Sequence, residues 1–122
     1  MTISVSCQEK EVFQSISVIE FKDIIKDSSV IVIDVRTLDE HIENHIPGTD
    51  LNIDVLKDDF AEIINDKLPK RSTVAIYCRS GNRSKSAATQ LSEAGHKVFE
   101  LSTGIKGWIN EGEEVVSISI NE

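Results

Sequence analysis

The residues best suited to chemistry lie in the run Val74-Ala75-Ile76-Tyr77-Cys78-Arg79-Ser80-Gly81-Asn82-Arg83-Ser84. An apolar, β-type stretch delivers one cysteine into a short loop that holds a glycine and two arginines, and a helix-capable segment from Ser84 to Ala94 follows at once. A thiol at such a junction faces backbone N–H groups, the positive end of a helix dipole and the charges of Arg79 and Arg83. All three favour the thiolate. In such settings a cysteine pKa falls from about 8.5 to roughly 3.5–7.5, so Cys78 reads as a nucleophile. The competing reading is a small cysteine filling a core gap, which would need neither flanking arginines nor a loop glycine.

The elements that must position this loop are legible as alternating strands and helices. Val30 to Val35 and Val74 to Tyr77 are too continuously apolar for exposed edges and read as central strands buried on both faces, and Val98 to Leu101 supplies another. Helical spacing appears in Val18, Phe21, Ile24 and Ile25, again in Leu56, Phe60, Ile63 and Ile64, and after the cysteine in Ala87, Ala88 and Leu91. Gly95 offers a helix stop. The alternation predicts an α/β sandwich around a mostly parallel sheet, in which ligands sit beyond the carboxyl ends of strands, where Cys78 falls.

Composition bounds the rest. With 122 residues, 39% hydrophobic and 28% charged, the chain fits one globular domain, expected over 15–118 between an N-terminal arm of 1–14 and a tail of 119–122. A net charge of −8 argues against nonspecific nucleic-acid or anionic-membrane binding, so the two loop arginines form a local positive spot on an acidic protein. Two distant cysteines, Cys7 and Cys78, do not make a disulfide framework, and a reducing, cytoplasmic setting is expected. No run approaches the ~20 apolar residues of a membrane span, and the first ten residues lack the regions of a signal peptide.

Four pieces in order carry a family resemblance: Ile33-Asp34-Val35-Arg36, His45-Ile46-Pro47-Gly48, the loop from Cys78 to Ser84, and Leu101-Ser102-Thr103-Gly104-Ile105-Lys106-Gly107-Trp108. The chain resembles a single-domain rhodanese, a thiosulfate sulfurtransferase module, from about Ser15 to Val116. It departs from the family at Asn44, where glycine is frequent, and at Thr103, where a glycine pair is frequent. The resemblance implies a three-layer sandwich with a mostly parallel central sheet flanked by helices. It also implies that the Cys78 thiolate takes the outer sulfur of a thiosulfate-like donor and holds it as a persulfide. A thiol, cyanide or a thioredoxin-like protein would then accept the sulfur, with no cofactor.

In this reading the amides of Arg79, Ser80, Gly81, Asn82, Arg83 and Ser84 form an anion cradle, and the arginine side chains bind the donor's oxyanion. Ser84 reads as the N-cap of the following helix. Asp34 and Arg36 read as a supporting ion pair near the site floor, His45 as a backbone-satisfying residue of a turn, and His41 and His96 as surface residues. Trp108 is expected to pack a helix onto the sheet, and Cys7 to be an incidental thiol. No His or Cys spacing suits a metal.

Two other function classes share parts of the pattern. A cysteine, a curled anion loop and an arginine before serine also resemble the tyrosine-phosphatase and arsenate-reductase signature. That signature has five residues between cysteine and arginine, whereas Cys78 and Arg83 enclose four. The shorter loop suits a single sulfur atom, and no motif places an aspartic general acid. A noncatalytic, regulatory rhodanese module would typically lack the cysteine, and Cys78 is present.

Overall fold

Period-two alternation in the strand that leads to the cysteine organises the whole chain. In the computed structural model, which describes residues 13–119, Val74, Ile76 and Cys78 pack on one face of the sheet and Ala75 and Tyr77 on the other. Both faces are therefore apolar, and each is covered by helices. The elements run β1 (Gln14–Ile16), α1 (Val18–Ile24), β2 (Ile31–Asp34), α2 (Leu38–Glu43), β3 (Leu51–Asn52), α3 (Phe60–Lys67), β4 (Thr73–Tyr77), α4 (Arg83–Glu93), β5 (Lys97–Leu101) and α5 (Gly104–Asn110). The five strands form a single sheet in the order β1-β5-β4-β2-β3, and every pairing is parallel.

Phe60 and Ile64 of α3 and Ala87, Ala88 and Leu91 of α4 cover one face, against Ile33, Val74, Ile76 and Val98. On the other face Val18 and Phe21 of α1 and Ile105 and Trp108 of α5 pack against Val32, Ala75, Tyr77 and Leu101. This is the expected three-layer sandwich. Trp108 does pack α5 inward, with its ring edge-on to Phe21 and its indole N–H donating to the Glu114 carbonyl at 2.7 Å.

Local chemistry starts the two short helices α1 and α2. Ser17 with Glu20, and Thr37 with Glu40, form reciprocal capping boxes that satisfy the first free amides of α1 and α2. Three expectations need correction. Gln14, placed in the N-terminal arm, pairs with Phe99 in β1, so the domain already includes it. Leu56 is 66% exposed and outside α3, because the Asp54 carboxylate accepts the Leu56 amide at 2.9 Å and turns the chain before the helix starts at Phe60. Ser84 is not an N-cap: α4 begins at Arg83 with Asn82 at the cap position, and the Ser84 side chain turns into the core. Cys7 lies outside the described residues.

Candidate active site

Strand β4 lies inside the sheet between β5 and β2, so its carboxyl end opens at the centre of the molecule. Cys78 is the first residue past that end and is only 1% exposed. The chain then curls from 79 to 82 and enters α4, bringing its amides back over the sulfur. The Gly81 N–H donates to Cys78 Sγ at 3.1 Å, and the Ser84 hydroxyl lies 3.4 Å from it. Burial pushes the thiol pKa up. The backbone N–H groups of Ser84, Gly81 and Ser80, all able to donate to a thiolate, act against that burial, and the pKa lies below the ordinary thiol value.

Two glycines allow this curl. Gly81 has φ of +102°, and a Cβ there would strike the Ser102 carbonyl. Gly104, at φ +66°, lets the start of α5 lie directly against the loop backbone, where the Ile105 amide donates to the Cys78 carbonyl at 2.9 Å and the Lys106 amide to that of Arg79 at 3.0 Å. The loop is thus pinned from below by α5 and from within by α4. Thr103, where the family often has glycine, has φ of −101° and needs none.

The two loop arginines have different fates. Arg83 lies on a two-pronged salt bridge to Glu40 of α2, with N–O distances of 2.7 and 2.9 Å. The guanidinium holds the Glu40 carboxyl down at about 2. Arg79 instead lines a cleft of about 240 Å³ together with Arg36, Glu40, Asn44 and Lys106. A broader depression of about 580 Å³ at the amino ends of the strands, lined by Lys70, Arg71 and His96 among others, contains no cysteine.

Below the cleft, Arg36 forks onto the buried Asp34 carboxylate at 2.9 and 2.8 Å and donates to the Asn44 carbonyl at 2.6 Å. Burial opposes the Arg36 charge, but the bonds and field of Asp34 raise its pKa. Asn44 is extended at φ −162°, so a side chain is tolerated there, and its amide oxygen accepts a further Arg36 N–H. His41 is not a surface residue: its Nδ1 meets the Asp34 carboxylate at 2.9 Å and its ring stacks on His45. His96 is also buried, and its Nδ1 accepts the Ser72 amide at 3.0 Å. His45 Nδ1 lies 2.9 Å from the His41 carbonyl. Among the described residues no group of three or more His, Cys, Asp or Glu is placed to hold a metal, and no helix is long and apolar enough to cross a membrane.

Two residues of the site escaped the sequence reading, Glu40 and Glu100. Glu40 is 43 residues from its partner Arg83. Glu100 lies 16 residues from Ser84, whose hydroxyl it accepts at 2.6 Å. The available signal for Glu100 was an acid inside an otherwise apolar strand. Nothing local signalled Glu40 beyond its place in the capping box.

Comparison with known proteins gives a consistent result. Residues 17–111 match the profile described as Rhodanese-like domain. The thiosulfate sulfurtransferase GlpE of Coxiella burnetii is 31% identical over 97 residues, spanning 79% of this chain and 87% of that protein. A sulfurtransferase of Allochromatium vinosum is 34% identical over 90 residues, spanning 72% and 79%. Among solved structures, a rhodanese-related protein from Thermoplasma volcanium superposes with a TM-score of 0.69 at 31% identity, covering 85% of this chain and 98% of that one. A rhodanese-like domain protein from Staphylococcus aureus gives 0.71 at 28%, covering 88% and 100%. Family model, relatives and fold agree, and the chain belongs to the rhodanese family of sulfurtransferases.

Proposed function

We propose that the protein moves a sulfane sulfur from thiosulfate or a similar small donor to a nucleophilic acceptor through a persulfide on Cys78. The observation that carries this reading is the Gly81 N–H at 3.1 Å from Sγ, in a loop whose Ser80 and Ser84 amides also favour negative charge on the sulfur. A cradle of amides around one sulfur suits a thiolate before transfer and a persulfide anion after it. The Cys78 thiolate attacks the outer sulfur of the donor, a new S–S bond forms, the donor's own S–S bond breaks, and its electron pair leaves with sulfite. A thiolate, cyanide or a thioredoxin-like thiol then attacks the terminal sulfur and releases the Cys78 thiolate.

Arg79, in the cleft wall, is the donor-binding cation of this scheme. Arg83, held by Glu40, orders the loop and reaches the donor only by exchanging that partner. Asp34 and Arg36 form a rigid floor, and the chemistry uses no cofactor. A soluble donor and thiol acceptors suit a reducing, cytoplasmic setting.

The test is intact mass after incubation with thiosulfate. The wild type should gain one sulfur atom, lose it to a reductant, and show no gain once Cys78 is replaced by Ser. A gain that persists in Cys78→Ser would move the chemistry to another residue. No gain with thiosulfate or any persulfide donor would remove the reading.

A further inference from the structure

Alternation in β5 puts Val98 and Glu100 on the face beneath α4, the same face as Cys78, while Phe99 and Leu101 face the other core. Glu100 is 0% exposed at a position where the pattern calls for an apolar side chain. A carboxylate there is tolerable only with its oxygens satisfied. The Ser15 hydroxyl donates to Oε1 at 2.5 Å, the Ser84 hydroxyl to Oε2 at 2.6 Å, and Lys85 Nζ approaches Oε2 at 3.2 Å.

A serine hydroxyl has a single hydrogen. The 2.6 Å contact to Glu100 is a short, charge-assisted bond, whereas Cys78 Sγ is 3.4 Å away. The hydrogen therefore goes to Glu100, and the Cys78 S–H donates to the Ser84 oxygen. The order is thiol to hydroxyl to carboxylate. We propose that Glu100 is a positioning residue for the nucleophile: by taking the Ser84 hydrogen it withholds that donor from the Cys78 thiolate and so sets the basicity of the sulfur.

Among the described residues, other charges around the pair are few. Lys85 of α4 faces Glu100 and also donates to the Gly81 carbonyl at 3.0 Å, while β1 contributes only the Ser15 hydroxyl. Toward Cys78 stand Arg83 of α4, bound to Glu40, and the neighbouring Arg79; Lys106 of α5 lines the adjoining cleft. At the end of β2, Asp34 is paired with Arg36 and His41.

A more basic thiolate is a better nucleophile and a poorer leaving group, with rates following basicity at a slope of about 0.4–0.5. Glu100 thereby favours loading of sulfur onto Cys78 over its discharge. This consequence rests on the sulfur-transfer reading, but the acid–base arrangement does not.

The experiment is the rate of Cys78 alkylation by iodoacetamide against pH, followed by peptide mass so that Cys7 is scored separately. Glu100→Gln keeps the shape and can donate to the Ser84 oxygen, freeing the hydroxyl for the sulfur. The midpoint should fall by about one pH unit, a roughly tenfold gain in thiolate below it. In a Ser84→Ala background the same replacement should move it by less than roughly a third as much, because the link is gone. An unchanged or raised midpoint overturns the proposal, as does an equal shift in both backgrounds, which would make Glu100 a charge acting through space.

A measurement on the unmodified chain stands beside these variants. Below the midpoint, the S–H stretching band that disappears in Cys78→Ser should carry the downshift of a thiol donating to oxygen, and a free-thiol frequency overturns the arrangement. If the wild type forms no persulfide while the alkylation results hold, the sulfur-transfer reading fails and the role of Glu100 stands.

Discussion

Gly104→Ala is the sharpest test of how the loop is held. A Cβ on Gly104 would lie 2.6 Å from the Ser80 nitrogen and closer still to the Arg79 carbonyl, all of it backbone that cannot rotate away. Ordinary contact needs about 3.5 Å, so the start of α5 and the cysteine loop must part by about 1 Å. That stretch removes the Ile105 and Lys106 amide bonds to the Cys78 and Arg79 carbonyls. Two backbone bonds at about 1 kcal/mol each, with about 1 kcal/mol for alanine at a positive φ, give a loss of about 3 kcal/mol. The chemical effect should be larger than the loss of fold. Displacing the amides by about 1 Å costs on the order of 100-fold in rate. The assays are urea denaturation and the rate of sulfur loading from thiosulfate. The control is Gly95→Ala, which has φ of +100° but open space around it and no contact with the loop. It should lose about 1 kcal/mol and load sulfur normally. If Gly104→Ala matches the Gly95→Ala variant in both assays, α5 does not hold the loop and the reasoning fails.

Three further outcomes follow from the site. Cys78 should alkylate with a midpoint below the free-thiol value of about 8.5, and Cys78→Ser should abolish transfer while leaving the melting curve nearly unchanged; an ordinary midpoint contradicts the amide cradle. Arg79→Ala should lower kcat/KM for thiosulfate by about 10- to 100-fold through loss of a charge-assisted contact, and Arg83→Ala by clearly less, because Glu40 already holds that guanidinium. Equal losses in steady-state kinetics would show that Arg83 leaves Glu40 for the donor. Because the Glu40 carboxyl is depressed from 4.5 to about 2, its pairing stabilises the fold fully above about pH 4.5 and loses that contribution as pH falls through about 2. Glu40→Gln should therefore be less stable at neutral pH by about 0.5–1 kcal/mol, after discounting for solvent screening at a partly exposed pair. Denaturant melts at pH 7 and pH 3 should show the difference narrowing only at the acid end.

Local pattern made the three inner strands β2, β4 and β5 and the loop carrying Cys78 legible in the sequence, but not the short edge strands β1 and β3. Continuous apolar runs mark strands buried on both faces, helical spacing marks the covering layers, and a cysteine between such a strand and a helix start lies at the carboxyl end of the sheet. The pairs that tune the site were not legible. Tertiary structure alone brought Glu40 to Arg83 and Glu100 to Ser84, since the partners lie on separate elements and no periodicity links them. It also reversed the local readings of Ser84, His41 and His96. Each is a polar residue whose type favours surface or cap; Ser84 and His96 are buried and His41 is half-buried, because a particular partner elsewhere in the fold satisfies each. Pattern fixes which faces are apolar, but a polar side chain's place depends on where its partner lies, and only the folded chain decides that.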